Sequence, residues 1–143
     1  MASGAFTTGI EKIQNQTLSW TGLDYKVMLM QSTYTYNPDQ DFVSDISANE
    51  VSAVGYSRSA NLAGKTVSED AGNNRVTLDA TDPAAFGPIA SGQTIGGAIV
   101  FYDTGVAATS QLLCYEEFTV TVPTNGGTVT VPFNALGVLY YQI

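Results

Sequence analysis

Three short motifs in this 143-residue chain combine residue types that could do chemistry. Asp103-Thr104-Gly105 follows the apolar run Ala98-Ile99-Val100-Phe101-Tyr102. An apolar strand ending in Asp-Thr-Gly is how an aspartic protease presents one of two carboxylates that share a proton. A dimer could supply the second copy, but only 40 residues follow Asp103, too few for a flap and its supporting strands. The same tripeptide also makes a plain strand exit, with Asp bonding the backbone ahead and Gly supplying a positive φ. The sequence predicts that turn. Gly64-Lys65-Thr66 echoes the end of a phosphate-binding loop, yet Ser59 stands where the motif needs its first Gly. The next four residues, Val67-Ser68-Glu69-Asp70, read as a strand and an acidic turn that would repel phosphate. In the acidic run 37–45, Asn37, Asp39, Asp41 and Asp45 offer alternate oxygen ligands suited to Ca²⁺. Phe42 occupies the position where an EF-hand turns on Gly, and Ala48 the position of its bidentate Glu. A solvated acidic loop is expected there.

Glu116 and Glu117 are neighbours on a predicted strand and point to opposite faces, so they cannot flank one glycosidic bond. Cys114, the single cysteine, lies in Leu112-Leu113-Cys114-Tyr115 with no His in the chain to activate it, and reads as a buried, inert thiol. Trp20, between Leu18 and Leu23, reads as core. Tyr34 and Tyr36, in a polar stretch, read as contact residues for a partner surface or a carbohydrate. Asn15-Gln16-Thr17 is a glycosylation sequon that matters only in a secreted chain. Without His the usual general base and the commonest metal ligand are missing, and no catalytic residue, metal site or cofactor is predicted. Thirteen acids against five bases give a formal charge of −8. Only Lys12, Lys26, Arg58, Lys65 and Arg75 could meet phosphates, so nucleic acid is not an expected partner. No secretory signal is evident, and the charge-free run 83–102 is broken by Pro88, Gly92, Gly96 and Gly97, so no membrane span is expected.

The elements that must position these residues are set by periodicity. Phe6, Ile10 and Ile13 recur at helical spacing, predicting a short helix within 5–18 capped by Thr7 or Thr8, with Gly9 weakening it. From Trp20 the period becomes two. Tyr25, Val27 and Leu29 share one face of a strand and Lys26, Met28 and Met30 the other, which predicts a central strand covered on both sides. Further strands are expected at 51–57, 65–68, 75–79, 95–103, 111–122, 128–133 and 138–143. Thr124-Asn125-Gly126-Gly127 is expected to close a hairpin between the last two alternating runs before the C-terminus. The chain is therefore read as one all-β domain, residues 1–143. An N-terminal helix or arm spans 1–18, and an antiparallel β-sandwich, jelly-roll-like, spans 20–143. A chain of this size buries roughly two-thirds of its unfolded surface, enough for a core without metal or disulfide.

The order of several segments is also informative. A short helix closing on Trp20 precedes Asp24-Tyr25-Lys26-Val27-Met28-Leu29-Met30, Tyr34-Thr35-Tyr36 and Asp41-Phe42-Val43-Ser44-Asp45-Ile46. Then come Leu62-Ala63-Gly64-Lys65-Thr66-Val67, Leu78-Asp79-Ala80-Thr81-Asp82, Ile99-Val100-Phe101-Tyr102-Asp103-Thr104-Gly105 and Thr109-Ser110-Gln111-Leu112-Leu113. Over about residues 6–141 the chain resembles a family of small virion structural proteins of tailed bacteriophages and prophages. It departs from that family in placing Tyr102 directly before Asp103, and in its apolar end Val138-Leu139-Tyr140-Tyr141-Gln142-Ile143. The resemblance implies a capsid cement or decoration protein on the outer face of the head, assembled in the host cytoplasm and bridging major capsid protein subunits. It implies a dimer or trimer, no catalytic residues, and contacts through the chain ends. The candidate interface is Phe6, Ile10, Ile13, Tyr34, Tyr36, Tyr140 and Tyr141. A tail or neck component is the second reading and a carbohydrate-binding sandwich the third.

Overall fold

The computed structural model describes residues 4–143; Met1, Ala2 and Ser3, the start of the predicted arm, lie outside the described residues. The elements run β1 (Gly4–Ala5), α1 (Thr7–Gln14), β2 (Tyr25–Gln31), α2 (Val43–Ile46), β3 (Thr66–Asp70), β4 (Arg75–Asp79), β5 (Thr94–Tyr102), β6 (Leu112–Pro123) and β7 (Leu139–Gln142). They form two antiparallel sheets, one in the order β1-β6-β5-β2 and the other in the order β3-β4-β7.

The double-sided apolar pattern of β2 and β5 decides the packing. Val27, Val100 and Cys114 are register partners on one face of the four-stranded sheet; Met28, Ile99 and Tyr115 are partners on the other. The first face joins Trp20, Leu78, Phe86, Val129 and Val131 in one core. The second joins Phe6, Tyr34, Val43 and Ile46 in another. A fully buried side chain such as Phe101 or Ile99 contributes about 1.5–3 kcal/mol. Trp20 ties the sheets together: its indole N–H donates to the carbonyls of both Thr66 and Asp79, cross-strand partners at one end of β3 and β4, at 3.1 Å each.

Several expectations need correction. The helix is shorter than predicted, and its N-cap is Phe6 with no side-chain cap bond, so neither Thr7 nor Thr8 caps it. Gly9 is buried against the carbonyl of Leu112, where any Cβ would collide; the residue that weakens the helix lets it dock on β6. β2 is covered on both faces but stands at the sheet edge, not in the centre. Residues 51–57 form no strand; they run as coil along that edge. Residues 128–133 form no strand either. After Asn125-Gly126 the chain crosses to Phe86, with which Val129 exchanges both backbone hydrogen bonds, at 2.8 and 2.9 Å. The predicted hairpin is absent because Val129 and Val131 bury themselves in the first core instead.

Candidate functional site

The strand exit after β5 is the turn the sequence predicts. Asp103 Oδ1 accepts from the Gly105 amide at 2.9 Å, and Gly105 has φ +82°. Asp103 Oδ2 lies 2.6 Å from Lys26 Nζ, and that bond holds its carboxyl below the usual carboxylate range. The carboxylate is thus committed to a lysine and a backbone amide. Gly64 has φ +60°, Lys65 Nζ donates to the Leu62 carbonyl at 3.0 Å, and β3 begins at the next residue. In the acidic loop, Asp45 Oδ2 accepts from the amides of Asp41 and Phe42 at 3.0 and 2.9 Å, and Asn37 Oδ1 accepts from Asp39 N at 3.0 Å. Those oxygens order the turn into α2.

Cys114 and Glu116 flank a cleft of about 360 Å³, floored by Val27, Ala98 and Val100 and walled by residues 133–140. Burial and the neighbouring Glu116 push the Cys114 thiol up to about 12, and burial raises the Glu116 carboxyl. A thiol in that state is no nucleophile. A second hollow of about 590 Å³ opens between the end of α1 and the inner side of the three-stranded sheet. Ile13, Leu18, Trp20, Val67, Val76 and Tyr141 line it. Val67, 54% exposed, is its apolar rim.

The candidate interface residues separate into two groups. Phe6 is fully enclosed and Tyr34 buried, both inside the second core. The Tyr36 ring stacks on Tyr115 at 5.8 Å and meets Phe6 edge-on at 5.4 Å; Tyr34 meets Tyr115 edge-on at 5.1 Å. Tyr34 Oη donates to Gln40 at 2.8 Å and Tyr36 Oη to the Ala5 carbonyl at 2.6 Å. Burial pushes the Tyr34 hydroxyl up to about 12 and raises that of Tyr36. The polar stretch hides this aromatic cluster because the tyrosines turn inward while the Asn and Asp side chains make the turns. Phe6 and Tyr34 therefore offer no free surface, and Tyr36 only part of its ring. Ile10, Ile13 and Tyr141 are half-buried, and Tyr140 is 43% exposed with its ring 5.8 Å from the Arg75 guanidinium.

Residue-by-residue reading misses one signal. No charged residue occurs after Glu117, so residues 118–143 are wholly uncharged in a chain of charge −8. Val120, Tyr140 and Ile143, three of the exposed large apolar side chains, belong to that stretch. No protein-family model, curated protein or solved structure matches the chain.

Proposed function

We propose that the chain is a structural component of a tailed-phage particle, a capsid cement protein that binds the outer face of the head and bridges major capsid protein subunits. The resemblance of residues 6–141 to small virion proteins motivates the reading. One observation of geometry supports it most directly: Ile13 of α1 and Tyr141 of β7, from opposite ends of the chain, line one apolar hollow with the exposed Val67. The two ends named as contact segments thus present a single surface. We take the two sheets as halves of a small β-sandwich, because Leu78 and Leu139 of one pack in a core with Val27 and Val100 of the other. Net negative charge suits a protein displayed in many copies, since it limits adhesion to nucleic acid and anionic membranes. Quantitative mass spectrometry of purified particles tests the assignment. Hundreds of copies in fixed ratio to the major capsid protein support it. A dozen or fewer point to a tail or neck ring, and complete absence overturns a virion role.

A further inference from the structure

The three-stranded sheet ends on β3, whose residues pair in unbroken register with β4 alone. A regular antiparallel ladder turns the N–H and C=O of alternate residues away from the paired strand. No described group outside that ladder bonds the backbone of Val67, Ser68 or Glu69, and all three residues are exposed. The chain enters β3 from the coil beside β2, where the Leu62 amide meets the Tyr25 carbonyl, whereas β1 belongs to the opposite edge of the other sheet. Val67 and Glu69 share a face with their partners Leu78 and Val76, the face on which the apolar hollow lies. Val67 is the rim of that hollow. The Glu69 carboxylate, two residues on, has no hydrogen bond or ion pair among the described residues.

We propose that β3 takes on an extended segment of a partner protein as an added strand, one that carries an apolar residue and, two positions away on the same face, a lysine or arginine. The apolar side chain enters the hollow beside Val67, and the cation meets Glu69. Strand addition draws affinity from main-chain hydrogen bonds and specificity from pockets for alternate side chains. Both are present here, side by side. The walls Ile13, Leu18, Trp20, Val76 and Leu78 carry no charge, and a hollow of about 590 Å³ admits a side chain as large as Leu or Phe. Charge selects a basic partner over a second copy of this chain. Laid antiparallel about Ser68, two copies set Val67 opposite Glu69, and neither carboxylate receives a cation. Each copy also brings a charge of −8. A charge on an edge strand deters self-pairing, and the same carboxylate attracts a strand of the opposite sign.

The pairing rests on the cement reading for the partner's identity and deepens it by naming the kind of segment bound, but it can be measured without a particle. The probe is a blocked peptide, Thr-Thr-Leu-Thr-Lys-Thr-Thr, titrated to millimolar concentration into the full chain and followed by NMR. Amide shifts are expected at residues 66–70, and methyl shifts at Ile13, Leu18 and Val67. Serine in place of the peptide's leucine should weaken binding about 10-fold, the loss of one buried apolar side chain. Glutamate in place of its lysine should also weaken it about 10-fold. Glu69→Gln, a change at an exposed position that leaves the fold intact, should weaken the lysine peptide about 5-fold and leave a peptide with glutamine at that place unaffected. No shift at residues 66–70 overturns the pairing, as does equal affinity for the leucine and serine peptides or for the lysine and glutamate peptides. A chain found in hundreds of copies per particle that ignores every peptide would sink the pairing and keep the cement reading; leucine- and lysine-dependent binding by a chain absent from particles would do the reverse.

Discussion

At the β2 edge of the four-stranded sheet, residues 50–62 lie along the strand and satisfy it group by group. The carbonyls of Tyr25, Val27 and Leu29 accept from the amides of Leu62, Ser59 and Val51 at 2.8–3.0 Å. The Val27 and Leu29 amides donate to Ser59 Oγ and Tyr56 Oη at 2.8 and 3.0 Å. Tyr56 Oη in turn donates to Glu50 Oε1 at 2.8 Å, and Arg58 grips the same carboxylate through two bonds of 2.8 and 2.7 Å while lying over the Phe101 ring. At the other edge, among the described residues, β1 pairs with Cys114 and Tyr115 of β6. Coil that carries side-chain hydroxyls and an ion pair finishes one edge as thoroughly as a strand would, whereas the described part of β1 at the other edge is two residues long.

The largest effect that would test this contrast is expected at the closed edge. The Glu50 side chain is 13% exposed and holds three hydrogen bonds from Tyr56 and Arg58. Glu50→Ala leaves the guanidinium without its carboxylate and should lower the unfolding free energy by about 2–4 kcal/mol, between an exposed pair and a fully buried one. Urea unfolding measures it. Arg58→Lys should lose less, since an ammonium keeps the charge and not the fork. Amide exchange should speed first at Val27 and Leu29. Equal loss of stability from Val120→Lys would erase the distinction between the edges.

The sequence makes this contrast only half legible. The alternation of 24–31, 75–79, 95–103 and 111–122 correctly marks β2, β4, β5 and β6, because their apolar faces have no other place to go. Trp20 and Cys114 are legible as buried for the same reason. The partner of each strand is not, since both faces of β2 are apolar whether it lies in the centre or at a coil-covered edge. Thr128-Val129-Thr130-Val131 alternates as cleanly as a strand, yet alternation requires only that one side be buried, and here coil meets that condition. Asn125-Gly126 specifies a reversal and not its destination. Tyr34 and Tyr36 look exposed because their neighbours are polar; distant Tyr115 and Phe6 turn them inward. The uncharged stretch after Glu117 is a compositional feature visible only over a long window.

Acid titration should separate the two edges next. Asp103, bonded to Lys26 of β2, has its carboxyl held low, chiefly by that bond. A carboxylate of this kind stabilises the fold above its unfolded value, about 3.9, and the benefit fades as pH falls through the lower folded value. Asp103→Asn should therefore reduce stability by about 1 kcal/mol at pH 7, with the deficit shrinking in acid. Glu116, on β6, has the opposite sign: burial raises its carboxyl, so the folded state favours the protonated form. Its penalty is absent below about 4.3 and grows as pH rises through the folded value. Glu116→Gln should gain less than about 1 kcal/mol at pH 7 and nothing in acid. Unfolding midpoints across that pH range, with slopes of the same sign for both variants, would contradict the assignment.

The smallest expected signal is the reactivity of Cys114, and it bears on how firmly β1 stays in place. Among the described residues, Gly4↔Tyr115 and Ala5↔Cys114 join β1 to β6, and a ladder this short should open locally well before the molecule unfolds. The thiol itself lies on the core side, 3.8 Å from the Val138 carbonyl, and is pushed up to about 12. At pH 8 such a thiol is ionised about a thousandfold less than a free one, before any barrier to access. Alkylation of the native protein should therefore be far slower than in urea. If fraying of β1 alone uncovers Cys114, a Tyr36→Phe variant, which removes the hydrogen bond from Tyr36 Oη to the Ala5 carbonyl, should accelerate labelling without moving the urea midpoint. If the 133–140 wall covers the thiol, Tyr36→Phe should leave the rate unchanged, and labelling should track global unfolding. The position of Val138 beside the sulfur favours the second outcome. Rapid native labelling would show that the cleft beside Cys114 opens in the folded state, and the contrast between the two edges would have to be redrawn along β6.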